Sequence, residues 1–114
     1  MTKNNFNETP YISHEQNEFK RQSLDFFHEG QALAANGETA SALVKIGESL
    51  ELAGNNNDPE WTAYLEGTVA YLNGDLEKLH SLVDRAGANI VTLTRLAKGL
   101  EARGAVDYKE DYYK

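Results

Sequence analysis

The sequence contains no cysteine. Disulfides, thiolate zinc sites and cysteine nucleophiles are therefore excluded together. It contains only two prolines, Pro10 and Pro59, so little interrupts helix formation across the chain. No apolar run approaches the roughly 20 residues that a membrane span requires. The first ten residues, Met1 to Pro10, are polar and asparagine-rich and lack a positive-then-apolar pattern. No signal peptide is expected there, and residence in the cytoplasm is the default expectation. HExxH, GxSxG and phosphate-cradling glycine loops are also missing. The sequence thus gives no positive sign of an enzyme, a metal site or a cofactor.

What is present is an ordinary globular composition. The chain has 114 residues, 40% of them hydrophobic and 25% charged, which suits one domain with a modest core. Its net charge of −7 is unevenly spread. Residues 1–77 carry four Lys/Arg against 13 Asp/Glu, a net of −9. Residues 78–103 carry five against two, a net of +3, and residues 104–114 carry two against three, a net of −1. An acidic body repels phosphate, so non-specific nucleic-acid binding is disfavoured everywhere except at the basic segment.

Apolar spacing predicts five helices and an all-α fold. Residues 1–12 read as a flexible N-terminal arm, with Phe6, Tyr11 and Ile12 able to dock. Ser13 and Gln16 form a capping box that opens a helix to about Asn36. A second helix runs from about Glu38 to Ala53, broken by Gly54 and the asparagines that follow. Asp58-Pro59 caps a third, to Leu72. A fourth runs from about Asp75 to Ala86 and a fifth from Ile90 to Arg103. Residues 105–114 form an acidic, tyrosine-rich tail, read either as frayed or as a short β-hairpin. Its tyrosines, Tyr108, Tyr112 and Tyr113, lie among acidic residues as in a linear docking motif.

The sequence also repeats itself. Glu29-Gly30 followed by Asn36-Gly37-Glu38 recurs 37 residues on as Glu66-Gly67 followed by Asn73-Gly74-Asp75. Phe27, Leu33, Ala42 and Ile46 match Tyr64, Ala70, Leu79 and Val83 at the same offset. Each unit is a helix, an Asn-Gly turn and a second helix. Glycine inside a helix costs up to about 1 kcal/mol against alanine. Gly30 and Gly67 are therefore expected to let the returning helix approach closely.

This pattern resembles the tetratricopeptide repeat over about residues 23–86. Gly30, Leu33, Gly37-Glu38 and Ala42 fit the first unit; Gly67, Ala70, Gly74-Asp75 and Ala86 fit the second. Leu79 stands where the family has alanine, the proline after the second helix is absent, and the spacing exceeds the family's length of about 34 residues. The resemblance implies two stacked antiparallel hairpins, with the fifth helix, or a second chain in a homodimer, covering the exposed end. It also implies a concave face lined by Phe27, Gln31, Trp61, Tyr64, Thr68 and Tyr71, a peptide groove if those aromatics are exposed. Phe27 and Trp61 also suit a core. A small adaptor, chaperone or inhibitor follows, with its acidic surface selecting a basic protein partner.

A second resemblance covers residues 82–106, which are similar to the helix-turn-helix of winged-helix regulators. The residues that carry it are the turn at Gly87, Thr92, Thr94 and Arg95 on the following helix, and Leu100-Glu101-Ala102-Arg103-Gly104 at its end. It implies a DNA-binding regulator using residues 76–103. Asn89, Thr92, Arg95 and Lys98 would meet the groove, and the tail would form a wing. Ile90 and Val91 at the helix start, the acidic tail and the negative body oppose it. His14 with Glu18, and His80 with Asp84, share helix faces; both suit solvated charge pairs better than metal ligation.

Overall fold

The computed structural model describes residues 14–56 and 58–113, with side chains described from Glu18 to Gly54 and from Asp58 to Tyr113. The proposed arm, the Ser13 cap and the His14 side chain lie outside the described residues. Every regular element is helical: α1 His14–Ala35, α2 Thr39–Asn56, α3 Pro59–Leu72, α4 Leu76–Val83, a 3-10 turn Gly87–Asn89, α5 Ile90–Arg103 and α6 Tyr108–Tyr112. No strand occurs among the described residues.

Local chemistry sets most of these boundaries. Asp58 Oδ1 accepts a hydrogen bond from the Trp61 amide at 3.2 Å, and Asp75 Oδ1 accepts one from the Lys78 amide at 3.1 Å. Both are side-chain caps on otherwise unpaired N–H groups. The Asn-Gly turns are the same structure twice. Gly37 and Gly74 have φ of 82° and 71°. The Gly37 amide donates to Ala34 at 3.0 Å and the Glu38 amide to Leu33 at 2.9 Å. The Gly74 amide donates to Tyr71 at 2.9 Å and the Asp75 amide to Ala70 at 2.8 Å. This crossed pair of bonds around a left-handed residue is the Schellman arrangement, which only glycine adopts without strain.

Two boundaries differ from the sequence expectation. Helix α2 does not break at Gly54 but runs through it to Asn56. Fully buried Ala53 holds that last turn on the core, and one glycine costs too little to melt it. Helix α4 stops at Val83, with Asp84 as its C-cap, rather than reaching Ala86.

The first hairpin is tightly closed. A Cβ on Gly30 would stand 2.5 Å from Ile46 Cγ1 and 3.3 Å from the Ala42 carbonyl oxygen. One end of the contact is made by serines. Ser23 Oγ donates to the Ser49 carbonyl at 2.9 Å, and Ser49 Oγ donates to the Ser23 carbonyl at 2.6 Å. Two small side chains thereby satisfy each other inside the interface.

Helix α3 is central, buried from Ala63 to Leu72 on nearly every side except at Glu66 and Val69. It packs on α2 and α4, and α5 lies against both α3 and α4, covering the second hairpin. Gly67 does not play the part expected of it. Its missing Cβ makes room for Leu93 Cδ1, at 2.7 Å, so the close neighbour is α5 and not the returning α4. Leu79, the counterpart of Ala42 on α4, is fully buried as well. The tail is neither frayed nor a hairpin. Asp107 Oδ1 accepts from the Glu110 amide at 3.2 Å and opens α6, which packs on α5 and α1.

These contacts order two substitutions. In Gly30→Ala the new methyl meets the stiff Cγ1 of Ile46, and overpacking of this kind costs about 1–3 kcal/mol, less up to about 1 recovered in helix propensity. In Gly67→Ala it meets the movable tip of Leu93. Denaturant unfolding should show Gly30→Ala less stable by about 1–2 kcal/mol and Gly67→Ala affected less. The reverse order would mean that the α1–α2 contact is not the tighter one.

Candidate functional site

The six residues assigned to a concave face do come together, but the face is covered. Phe27 of α1 and Trp61 and Tyr64 of α3 form one aromatic cluster. Its centroids are 5.3 Å apart for Phe27–Trp61, 5.2 Å for Phe27–Tyr64 and 5.7 Å for Trp61–Tyr64. The Trp61 indole donates to Ser23 Oγ at 2.9 Å, which joins the cluster to the serine contact. Phe27 and Tyr64 are buried, and Trp61 is half-buried. Thr68 is buried too, its hydroxyl returned to the Tyr64 carbonyl of its own helix at 3.0 Å. These four belong largely to the core.

Gln31 and Tyr71 meet α6. Gln31 Nε2 donates to the Tyr108 hydroxyl at 2.9 Å. Tyr108 is only 2% exposed; its ring meets Tyr71 edge-on at 6.1 Å and stacks on Tyr112 at 5.1 Å. The Tyr71 hydroxyl donates to Asp111 Oδ2 at 2.6 Å and accepts from the Asp107 amide at 2.9 Å.

Helix α5 supplies the other wall. The Arg103 guanidinium donates to Asp111 Oδ2 and also, through Nε, to the Ala105 carbonyl at 3.0 Å. Arg95 Nη2 donates to the Tyr112 carbonyl at 3.2 Å, satisfying an orphan acceptor at the end of α6. Between these two arginines lies Gly99. A Cβ there would fall on the Asp111 carboxylate. Asp111, 2% exposed, is thus held by a phenol and a guanidinium over a gap left by glycine. Its second oxygen, Oδ1, has no hydrogen-bond partner among the described residues.

Electrostatics follow the geometry. Burial pushes the Tyr64, Tyr71 and Tyr108 phenols above the ordinary tyrosine range, because a phenolate would lose its hydration. For Tyr71 the hydrogen bond to Asp111 adds to this effect. The Asp111 hydrogen bond likewise raises Arg103.

The DNA-contacting set is differently placed. Lys98 is exposed, whereas Asn89, Thr92 and Arg95 are half-buried. Arg95 is engaged by α6, and the segment read as a wing is that helix. His28 and His80 are exposed, and no three metal-ligating side chains converge among the described residues. Sequence reasoning missed Ser23, Ser49, Gly99, Arg103 and Asp111. Two signals were available: Gly99 is an interior helix glycine outside the repeat, and Asp107 with Glu110 three residues on is an N-cap pattern.

Gly99→Ala should eject the carboxylate and free α6 while raising α5 propensity by up to about 1 kcal/mol. Amide exchange of residues 108–112 should accelerate at least about tenfold while the α3 amides stay protected; unchanged protection of α6 would contradict the seat. Alkaline pH should act similarly. The raised phenols contribute stability that is complete below the free tyrosine value of about 10 and drains as pH climbs through their higher folded values. Ultraviolet titration should show three tyrosines ionising later than free tyrosine, together with loss of α6.

Comparison with protein-family models, with curated proteins and with solved structures gives no match to this chain.

Proposed function

We propose that the chain is a small, non-enzymatic protein-interaction module that holds a segment of a partner protein against the inner faces of α1, α3 and α5. The observation that carries this reading is α6 itself. A helical segment lies across the face that the tetratricopeptide resemblance implies as a groove, bonded to Gln31 and Tyr71 and to two arginines of α5. A face that seats one helix by side-chain recognition has the chemistry to seat another. The repeated Gly37 and Gly74 turns support reading the two hairpins as degenerate tetratricopeptide-like units, though Gly67 and Leu79 depart from the first unit's packing.

The acidic half directs approach. Residues 1–77 carry a net of −9, so a partner with a basic surface meets it faster. DNA regulation is the weaker reading, because of its four contact residues only Lys98 is freely presented.

The test is capture from extracts of the source cell by immobilised full-length chain, beside titration with duplex DNA at low salt. We expect a captured protein whose binding falls about tenfold on Glu51→Lys with Glu77→Lys, both exposed, and falls further with added salt. No saturable DNA binding is expected. Saturable DNA binding that Lys98→Glu abolishes would overturn the assignment.

A further inference from the structure

The seat under α6 is more specific than helix packing requires. Gln31 Nε2 meets a phenol, the Tyr71 hydroxyl and the Arg103 guanidinium meet one carboxylate, and Arg95 Nη2 meets a terminal carbonyl. Gly99 gives the carboxylate its space. The seat's arginines lie in residues 78–103, the stretch with a net charge of +3, so an acidic segment suits it where it would not suit the rest of the surface.

The occupant, in contrast, is slight. Helix α6 has five residues, too few to persist alone in water. It is joined to α5 through Gly104, at φ 73°, and three further residues. Tyr113, which follows it, is 65% exposed.

We propose that this seat is a binding site for a short helical segment of a partner protein, presenting a tyrosine, a carboxylate three residues later and an aromatic ring one residue beyond, and that α6 is its resident competitor. The proposal rests on the interaction reading and deepens it by naming the segment. The tether gives α6 an effective concentration on the order of millimolar. A second copy of the chain offers the same contacts without that advantage, so exchange of α6 between copies is disfavoured. A different protein wins by adding contacts beyond the seat, and its basic flanks would find the acidic half of the body.

The probe is a labelled peptide with the sequence of residues 104–113, titrated by fluorescence anisotropy into full-length chain. Asp111→Ala weakens the resident helix and leaves the seat whole, so it should bind the peptide at least about tenfold tighter than the unaltered chain. Gly99→Ala fills the seat, and should bind no peptide even in combination with Asp111→Ala. Changing the peptide residue equivalent to Asp111 to alanine should cost about tenfold or more. Circular dichroism checks that each variant folds, and the isosteric Asp111→Asn, expected to bind with intermediate affinity, stands in should Asp111→Ala misfold. Equal binding by the unaltered chain and Asp111→Ala would overturn the proposal, as would binding that ignores Gly99→Ala. A dimer of the unaltered chain in sedimentation, abolished by Asp111→Ala, would assign the seat to a second copy and also overturn it. The two readings fail separately. Peptide binding without any captured cellular partner sinks the interaction module, and with it the partner, but leaves the seat's recognition of the segment standing. Capture indifferent to Gly99→Ala sinks only the segment chemistry.

Discussion

A carboxylate out of water organises one side of this molecule. Removing an ion such as Asp111 from solvent costs several kcal/mol unless its oxygens are met. Here one oxygen accepts from both Tyr71 and Arg103, and the carboxylate fits only because residue 99 is glycine. The bonds converge from α3 and α5, and Gln31 reaches the same short helix from α1. Three elements far apart in sequence are thereby tied through one turn of helix. An aromatic stack alone would not fix its register, whereas a carboxylate with a single place to go does.

That arrangement depends on how closely the hairpins pack behind it. Ser23 and Ser49 hold α1 against α2 by bonding to each other's carbonyls, and the Trp61 indole adds α3 to the same point. Gly30 admits Ile46 farther along. Phe27, Trp61 and Tyr64 then fill the angle between α1 and α3. Small residues set the distance and aromatic residues use it. Gln31 and Tyr71 are consequently presented on one side, where α6 meets them. The basic stretch around α5 completes the seat with the two cations that an acidic, tyrosine-rich segment needs.

Much of this was legible in the sequence, and what was not has a physical cause. The long helices announced themselves because apolar spacing, Asp58-Pro59, Asp75 and the Asn-Gly turns are local signals that act where they are written. The repeat correctly paired the turns at Gly37 and Gly74. It misjudged Gly67, because offset arithmetic cannot see that Leu93 of α5 comes from a third direction. Helix α6 was illegible as a helix because five residues carry no period, and its stability is borrowed from partners such as Gln31, 77 positions away. The tetratricopeptide resemblance grouped Gln31 with Tyr71, and both are bonded to α6. That the face is closed by α6 is a long-range fact, of which Gly99 and the Asp107 cap are the only local traces.

If α6 is docked on α1, α3 and α5 in solution, nuclear Overhauser contacts of the Tyr108 ring report it. Cross-peaks are expected from that ring to Tyr71 and to the Gln31 side-chain amide, with helical shifts through residues 108–112. Random-coil shifts after Gly104 and no such cross-peaks would contradict it.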